Sequence, residues 1–397
     1  MTIRVPKGFR LAGVHCGLKR DPRKQDLTLV VSDVPAAAAG VYTKNLVYAA
    51  PVALDRSRTP SDRIRAVVVN SGNANACTGL RGLRDAQEMA RLAAAACQAA
   101  EDQALVLSTG VIGAFLPLEK IGQGITHAAS QLGSDEEALM GAARGMLTTD
   151  TIHKMAGRLV TIGDREISVC GLAKGAAMMG PNMATMLALI LTDAPLEKES
   201  AQQSLVEAVG ETFNCISVDG HMSTNDTVLL VANGRAGGKP LAGQDLILFR
   251  RALGDVCEEL ARMIPFDGEG ATHLITIDIT GCADRKAALE IAKTVANSPL
   301  VKTAICGADP NWGRIVSAAG YAGVPFDPAG VTLHVNGFLL YRAGAPEQFD
   351  GKAVSASIRD NRETRIQLQF GEGDAKVRFW TSDLTAEYVR LNADYHT

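Results

Sequence analysis

The chain has 397 residues, 47% hydrophobic and 21% charged, with 40 Lys and Arg against 43 Asp and Glu. That apolar content excludes a mainly disordered chain. The near balance of charge gives no reason to expect nucleic acid or an anionic membrane as the main partner, and aromatics at only 5% disfavour base stacking. The length fits two domains or one large intertwined one.

At the N-terminus, Arg4, Lys7, Arg10, Lys19 and Arg20 precede the first acid, Asp21. A transit peptide has a similar composition. Pro6, Gly8 and Gly13 interrupt any amphipathic helix, however, and no apolar signal core follows. The segment is read as part of the folded body of a cytoplasmic enzyme. No apolar run reaches the roughly 18 residues of a membrane span.

Strands are predicted at AVVV before Asn70, ALVLS before Thr109, LALILT from Leu187 and LITIDIT from Leu274. Helices are predicted over Asp85–Ala100, Leu196–Phe213, Asp245–Met263 and Ala283–Ala296. The C-terminal third adds VTLHVNG, RIQLQF and VRFW, which alternate like strands. Asn233–Gly243 and Ala343–Gly351 read as loops. Together these give an α/β or α+β protein whose sheets are covered by helices.

The eight cysteines form no C-x-x-C pair and no zinc-ligand spacing with the seven histidines. They are expected to be reduced, buried thiols. G-x-S-x-G, Walker A, G-x-G-x-x-G after a strand and H-E-x-x-H are all missing. Gly268-Glu269-Gly270 and Gly371-Glu372-Gly373 each place an acid inside the glycines, which suits a turn better than a phosphate loop.

The most unusual stretch is LAKGAAMMGPNMATMLALILTDA, from Leu172 to Ala194. It sets one cation, Lys174, before a Gly180-Pro181-Asn182 turn, then Met183-Ala184-Thr185 at the entrance of an apolar strand. Taken alone, Thr185 suits a strand start because it is β-branched. The whole stretch resembles the signature of the ArgJ family, the ornithine acetyltransferases (glutamate N-acetyltransferases) of arginine biosynthesis. Further blocks are similar to the family's in the same order: VYTKNLVYAAPV, VNSGNANACTG, LSTGVIG, LTTDT, ISVDGHMSTNDT, DGEGATH, LVKTAICGADPNWGRI and DLTAEYVRLNADYHT.

The resemblance implies a DmpA/ArgJ-like fold that cuts itself between Ala184 and Thr185. It implies two intertwined chains, 1–184 and 185–397, assembled as α2β2 and sharing buried strands. Thr185 is then the nucleophile and Thr109 with Gly110 the oxyanion hole. Substrate contacts fall to Thr148, Lys174, Thr185, Glu269, Asn392 and Thr397, and with Thr397 in the site the chain is expected to end without a polar tail. Acetyl passes from N-acetylornithine to glutamate by a ping-pong route, with acetyl-CoA as a further possible donor and no metal or organic cofactor.

The chemistry is coherent. A threonine hydroxyl needs a base, and cleavage frees an α-amine, with an unperturbed pKa of about 7.7–8.0, that can serve as one. An oxyanion donor typically contributes about 10²–10³ in rate. Lys174 suits a carboxylate and Glu269 an ammonium.

His221, Met222, His273, Ala177 and Phe266 depart from the family pattern, and Phe266 and His273 are expected to flank Glu269. An N-terminal-nucleophile aminopeptidase of the DmpA type is the alternative, distinguished by transfer to water. An uncut binding protein that has lost catalysis is a further one.

Overall fold

The computed structural model describes residues 3–178, 180 and 186–394. Its first sheet contains β1 (Phe9–Val14), β2 (Leu27–Tyr42), β3 (Ser61–Asn73), β4 (Ala104–Val111), β5 (Lys154–Ile162), β6 (Arg165–Lys174), β7 (Leu187–Thr192) and β9 (Thr227–Ala232). The two-residue β8 (Ile216–Ser217) belongs to the second sheet. That sheet also holds β10 (Leu274–Cys282), β11 (Thr332–Val335), β12 (Phe338–Arg342), β13 (Ala345–Pro346), β14 (Glu363–Gln369) and β15 (Ala375–Ser382).

The first sheet runs β4-β3-β2-β9-β7-β6-β5, with β1 beside the N-terminal half of β2. Ala37–Tyr42 of β2 pair antiparallel with β9, β9 runs parallel to β7, and β7 runs antiparallel to β6. Two strands from beyond position 185 therefore lie between strands from before it. The second sheet, β13-β12-β11-β14-β10-β15-β8, comes wholly from the later residues.

Period-two alternation sorts the side chains between layers. Leu187, Leu189 and Leu191 of β7 join Leu229 and Val231 of β9, Val67 and Val69 of β3, and Leu105 and Leu107 of β4. The intervening Ala188 and Ile190 face the opposite layer with Val228 and Leu230. A strand buried on both faces reads as a continuous apolar run. Each fully buried Leu or Ile there contributes about 1.5–3 kcal/mol.

Among the described residues, eleven helices cover the sheets: α1 (Ala50–Arg58), α2 (Gly79–Ala96), α3 (Leu118–Ser130), α4 (Glu136–Met146), α5 (Lys198–Glu211), α6 (Gly243–Phe266), α7 (Arg285–Asn297), α8 (Pro299–Cys306), α9 (Trp312–Gly320), α10 (Gly351–Arg359) and α11 (Ala386–Asp394). Helix α6 touches both sheets, so Val256, Leu260 and Ile264 share one core with Ile277 and Phe379. Helix α4 packs on β1 and β2, while α2 packs on β3 and β4.

The predicted strands and the four predicted helices are present, with shifted ends. Helix α2 starts six residues before Asp85, because Asn75 Nδ2 donates to the Gly82 carbonyl at 2.8 Å and secures a first turn of weak intrinsic propensity. It stops at Ala96 rather than Ala100, where Gln98 turns to φ +56. The segment read as loop Ala343–Gly351 contains the short β13 and the first residue of α10.

The basic N-terminal segment is built into the fold, with Arg10 in β1 and the Lys7 N–H donating to Asp193. All eight thiols are unpaired. Cys170, Cys215, Cys257 and Cys282 are buried, but Cys77 is exposed, contrary to expectation. Among the described residues, no helix is long and apolar enough to cross a membrane.

Candidate active site

A cleft of about 100 Å³ opens where the ends of β4 and β6 meet the Asp267–Gly270 turn and α11. Thr109, Gly110, Thr148, Lys174, Glu269 and Asn392 all line it. These are six residues proposed from sequence, brought together from five separate segments. Ala184, Thr185 and Thr397 lie outside the described residues.

Gly110 sits at φ +129, and a Cβ there would lie 2.3 Å from the Gly72 carbonyl carbon. The contact is backbone to backbone, so only glycine lets β4 close on β3 here. Thr109 is buried, and its Oγ1 accepts from Lys174 Nζ at 3.1 Å. An ammonium has no lone pair to offer, so the threonine O–H stays available to donate into the cleft.

Lys174 is itself buried, 2% exposed, and burial pushes its ammonium below the usual lysine range. Asp150 is the main charge pulling it back up. Burial raises the Asp150 carboxyl, but the Lys154 and Lys174 ammoniums outweigh it and hold the group at about 2. Asp150 also accepts from the N–H of Gly175 at 2.6 Å and of Thr148 at 3.0 Å.

Lys154 Nζ donates to Asp150 at 2.7 Å and to Asp267 at 2.6 Å, with all three side chains nearly inaccessible. Asp267 in turn accepts from the Thr151 N–H at 3.1 Å. One buried ion network thus fixes the loop of Thr148, the end of β6 carrying Lys174 and the turn carrying Glu269. A charge this deep is tolerable only when paired.

The opposite wall is lighter. The Glu269 N–H donates to the Ala176 carbonyl at 2.9 Å, and Asn392 Nδ2 donates to Glu269 Oε2 at 2.9 Å. Gly270 lies at φ +67, and a Cβ on it would come within 2.7 Å of the Tyr388 nitrogen. Turn and α11 therefore touch through backbone.

The last cleft wall is Ser223-Thr224-Asn225. Asn225 Nδ2 donates to the carbonyls of Ala74 and Ser108, at 2.6 and 2.8 Å. Next along the chain, Asp226 is fully buried and accepts from the Met186 N–H at 3.0 Å. Burial drives this carboxyl well above the usual range.

Asp150, Lys154, Asp267, Asn225 and Asp226 are absent from the residues proposed from sequence. Asp150, Asp267 and the Asn225-Asp226 pair do sit inside the blocks LTTDT, DGEGATH and ISVDGHMSTNDT.

Phe266 and His273, expected to flank Glu269, do not line the cleft. Phe266 lies under the Arg362 guanidinium, 4.9 Å from its ring centre. His273 turns inward to Asp383 at 3.1 Å and to the Ile358 carbonyl at 3.2 Å. His221 is exposed beside Asp219. Ala177 does line the cleft. Among the described residues, no cluster of His, Cys, Asp and Glu is arranged to hold a metal ion.

The ArgJ family model matches residues 10–397. The chain belongs to the ArgJ family. Arginine biosynthesis bifunctional protein ArgJ of Rhodopirellula baltica is 46% identical over 396 residues, covering 99% of this chain and 96% of that protein. The protein of that name from Yarrowia lipolytica, described as mitochondrial, is 41% identical over 406 residues, covering 99% and 94%. A solved ArgJ structure from Bacillus halodurans matches with a TM-score of 0.51 and 38% identity, over 52% of this chain and 98% of that one.

Proposed function

We propose that this chain is an acetyltransferase of arginine biosynthesis that moves acetyl from N-acetylornithine to glutamate. The observation that carries this is the cleft itself. It sets a buried cation, Lys174, and a carboxylate, Glu269, on facing elements beside Thr109 and Gly110. An amino acid presents the complementary pair, an α-carboxylate and an ammonium, and both substrates have such groups.

Thr185 acts as the nucleophile twice, first in breaking its own bond to Ala184, which frees its nitrogen as an amine, and then in acetyl transfer. Its hydroxyl attacks the Ala184 carbonyl and water opens the ester, leaving pieces 1–184 and 185–397. The freed amine then takes the hydroxyl proton as acetylornithine is attacked. The Thr109 hydroxyl and the Gly110 backbone offer donors to each tetrahedral oxyanion. Ornithine departs, glutamate attacks the acetyl ester, and N-acetylglutamate leaves. The interleaving of β7 and β9 with β2 and β6 supports joint retention of the pieces after the cut.

Acetyl-CoA as a further donor, α2β2 assembly, a cytoplasmic location and a substrate contact by Thr397 belong to the same proposal. The direct test supplies N-acetylornithine with isotopically labelled glutamate. Labelled N-acetylglutamate is the expected product. Release of free acetate, with none reaching glutamate, would favour a hydrolase instead.

A further inference from the structure

The basic residues near the N-terminus contribute nothing to the cleft. Lys19, Arg23 and Lys24 instead gather with Arg144, from the last turn of α4, around a second pocket of about 250 Å³. Thr148 lines both this pocket and the cleft, so one loop is the partition between them.

The nearby carboxylates are largely committed elsewhere. Asp26 accepts from the N–H groups of Cys16, Leu18 and Lys19 at 2.6–2.9 Å. Asp150 lines the pocket itself, but Lys154 and the Gly175 N–H hold its carboxylate. Asp21 pairs with Arg23 at 2.9 Å.

The cations keep spare capacity. Lys19 Nζ donates to the Gln25 carbonyl at 2.5 Å, which uses one of its three protons. Burial lowers this ammonium to about 8, a sign of poor hydration. The side chains of Lys24 and Arg144 have no hydrogen bond or ion pair among the described residues.

We propose that this pocket is a binding site for a phosphate-bearing anion. Lysines and arginines converging on one concavity match the many acceptor oxygens of phosphate. The volume falls below the roughly 300–1,000 Å³ of a drug-sized ligand site, which suits a phosphate or diphosphate group rather than a whole nucleotide. Two sources share that chemistry: a free inorganic anion, or the phosphate end of a coenzyme thioester whose acyl end passes Thr148 into the cleft. The second source rests on the acetyl-transfer reading above.

Titration calorimetry with pyrophosphate tests the site on the full-length protein. Wild type is expected to bind, more weakly as salt rises. The double variant K24A/R144A is expected to bind at least about tenfold more weakly, while K24R/R144K, which keeps both charges, retains binding.

Acetyl exchange between N-acetylornithine and glutamate should be unchanged in both variants, which also reports that they are folded. A rise in KM for acetyl-CoA, but not for acetyl-pantetheine lacking phosphate, in K24A/R144A supports the coenzyme source. Loss of pyrophosphate binding with both donors unaffected supports the free anion. Wild type that fails to bind pyrophosphate, or equal binding by K24A/R144A, overturns the site. Pyrophosphate binding without any acetyl exchange in wild type would count against the proposed function and leave the site standing.

Discussion

The two sheets differ in how they are assembled from the chain. The first interleaves strands from either side of position 185, whereas the second is built entirely from residues after it. The first supplies the buried, multiply bonded wall of the cleft through Thr109, Gly110 and Lys174. The second supplies the lighter wall through Glu269, just before β10, and Asn392, in the helix after β15. Lys154 is the rivet between them, reaching from β5 to Asp267. A site divided this way needs its charges fixed across a seam, and the buried ion network does that.

Removing the rivet is the strongest challenge. Lys154→Met leaves Asp267 buried without its cation and Asp150 with Lys174 alone, a loss typically of about 3–5 kcal/mol. The expected result is a large fall in Tm with activity lost. A Tm within a degree or two of wild type would mean the sheets are held by packing alone.

Gly110→Ala acts on the first sheet only. The added Cβ meets the Gly72 backbone, so β4 must shift and its oxyanion donor moves with it. A fall of about 10²–10³ in kcat is expected. Steady-state kinetics with KM recorded separately checks this, and an unchanged kcat would remove Gly110 from the oxyanion hole.

Asp150→Asn sharpens the electrostatic side. Burial already lowers Lys174, and Asp150 is its largest counter-charge. Without that charge the ammonium loses its proton at lower pH, so the alkaline limb of the kcat/KM profile should move towards acid. In wild type, the depressed Asp150 pKa adds stability above 3.8 that is lost as pH falls towards 2. The variant should lack that acid transition in its unfolding curve.

The smallest effect is expected on the second wall. Asn392 is exposed and donates to Glu269 through one hydrogen bond. Asn392→Ala should raise KM several-fold, in line with about 0.5–1.5 kcal/mol, and leave kcat and Tm nearly unchanged. An effect as large as that of Gly110→Ala would show that the two walls are not unequal.

Much of this was legible from residues alone. The apolar runs at Leu187 and Leu274 are strands because both faces are buried, and the motif blocks named six residues that converge on one cleft. The helices between the blocks were harder. Helix α4 is Gly- and Ala-rich and is held by close approach to β1, where a Cβ on Gly13 would lie 1.9 Å from the Gly141 carbonyl oxygen. That is a tertiary effect with little local signal.

The ion network was illegible for the same reason. Asp150 and Lys154 are four residues apart, but Asp267 lies 113 residues beyond Lys154. Nothing in a linear pattern pairs them. Proximity to Glu269 in sequence did not carry Phe266 or His273 into the cleft, because Arg362 and Asp383 engage their side chains instead.

Intact-mass spectrometry of the purified protein, with Thr185→Ala beside it, tests the central claim most directly. The account predicts two pieces in wild type, 1–184 and 185–397, and a single uncut chain in the variant. A wild-type preparation that stays whole yet exchanges acetyl, or a variant that still cuts between 184 and 185, would contradict the N-terminal threonine mechanism.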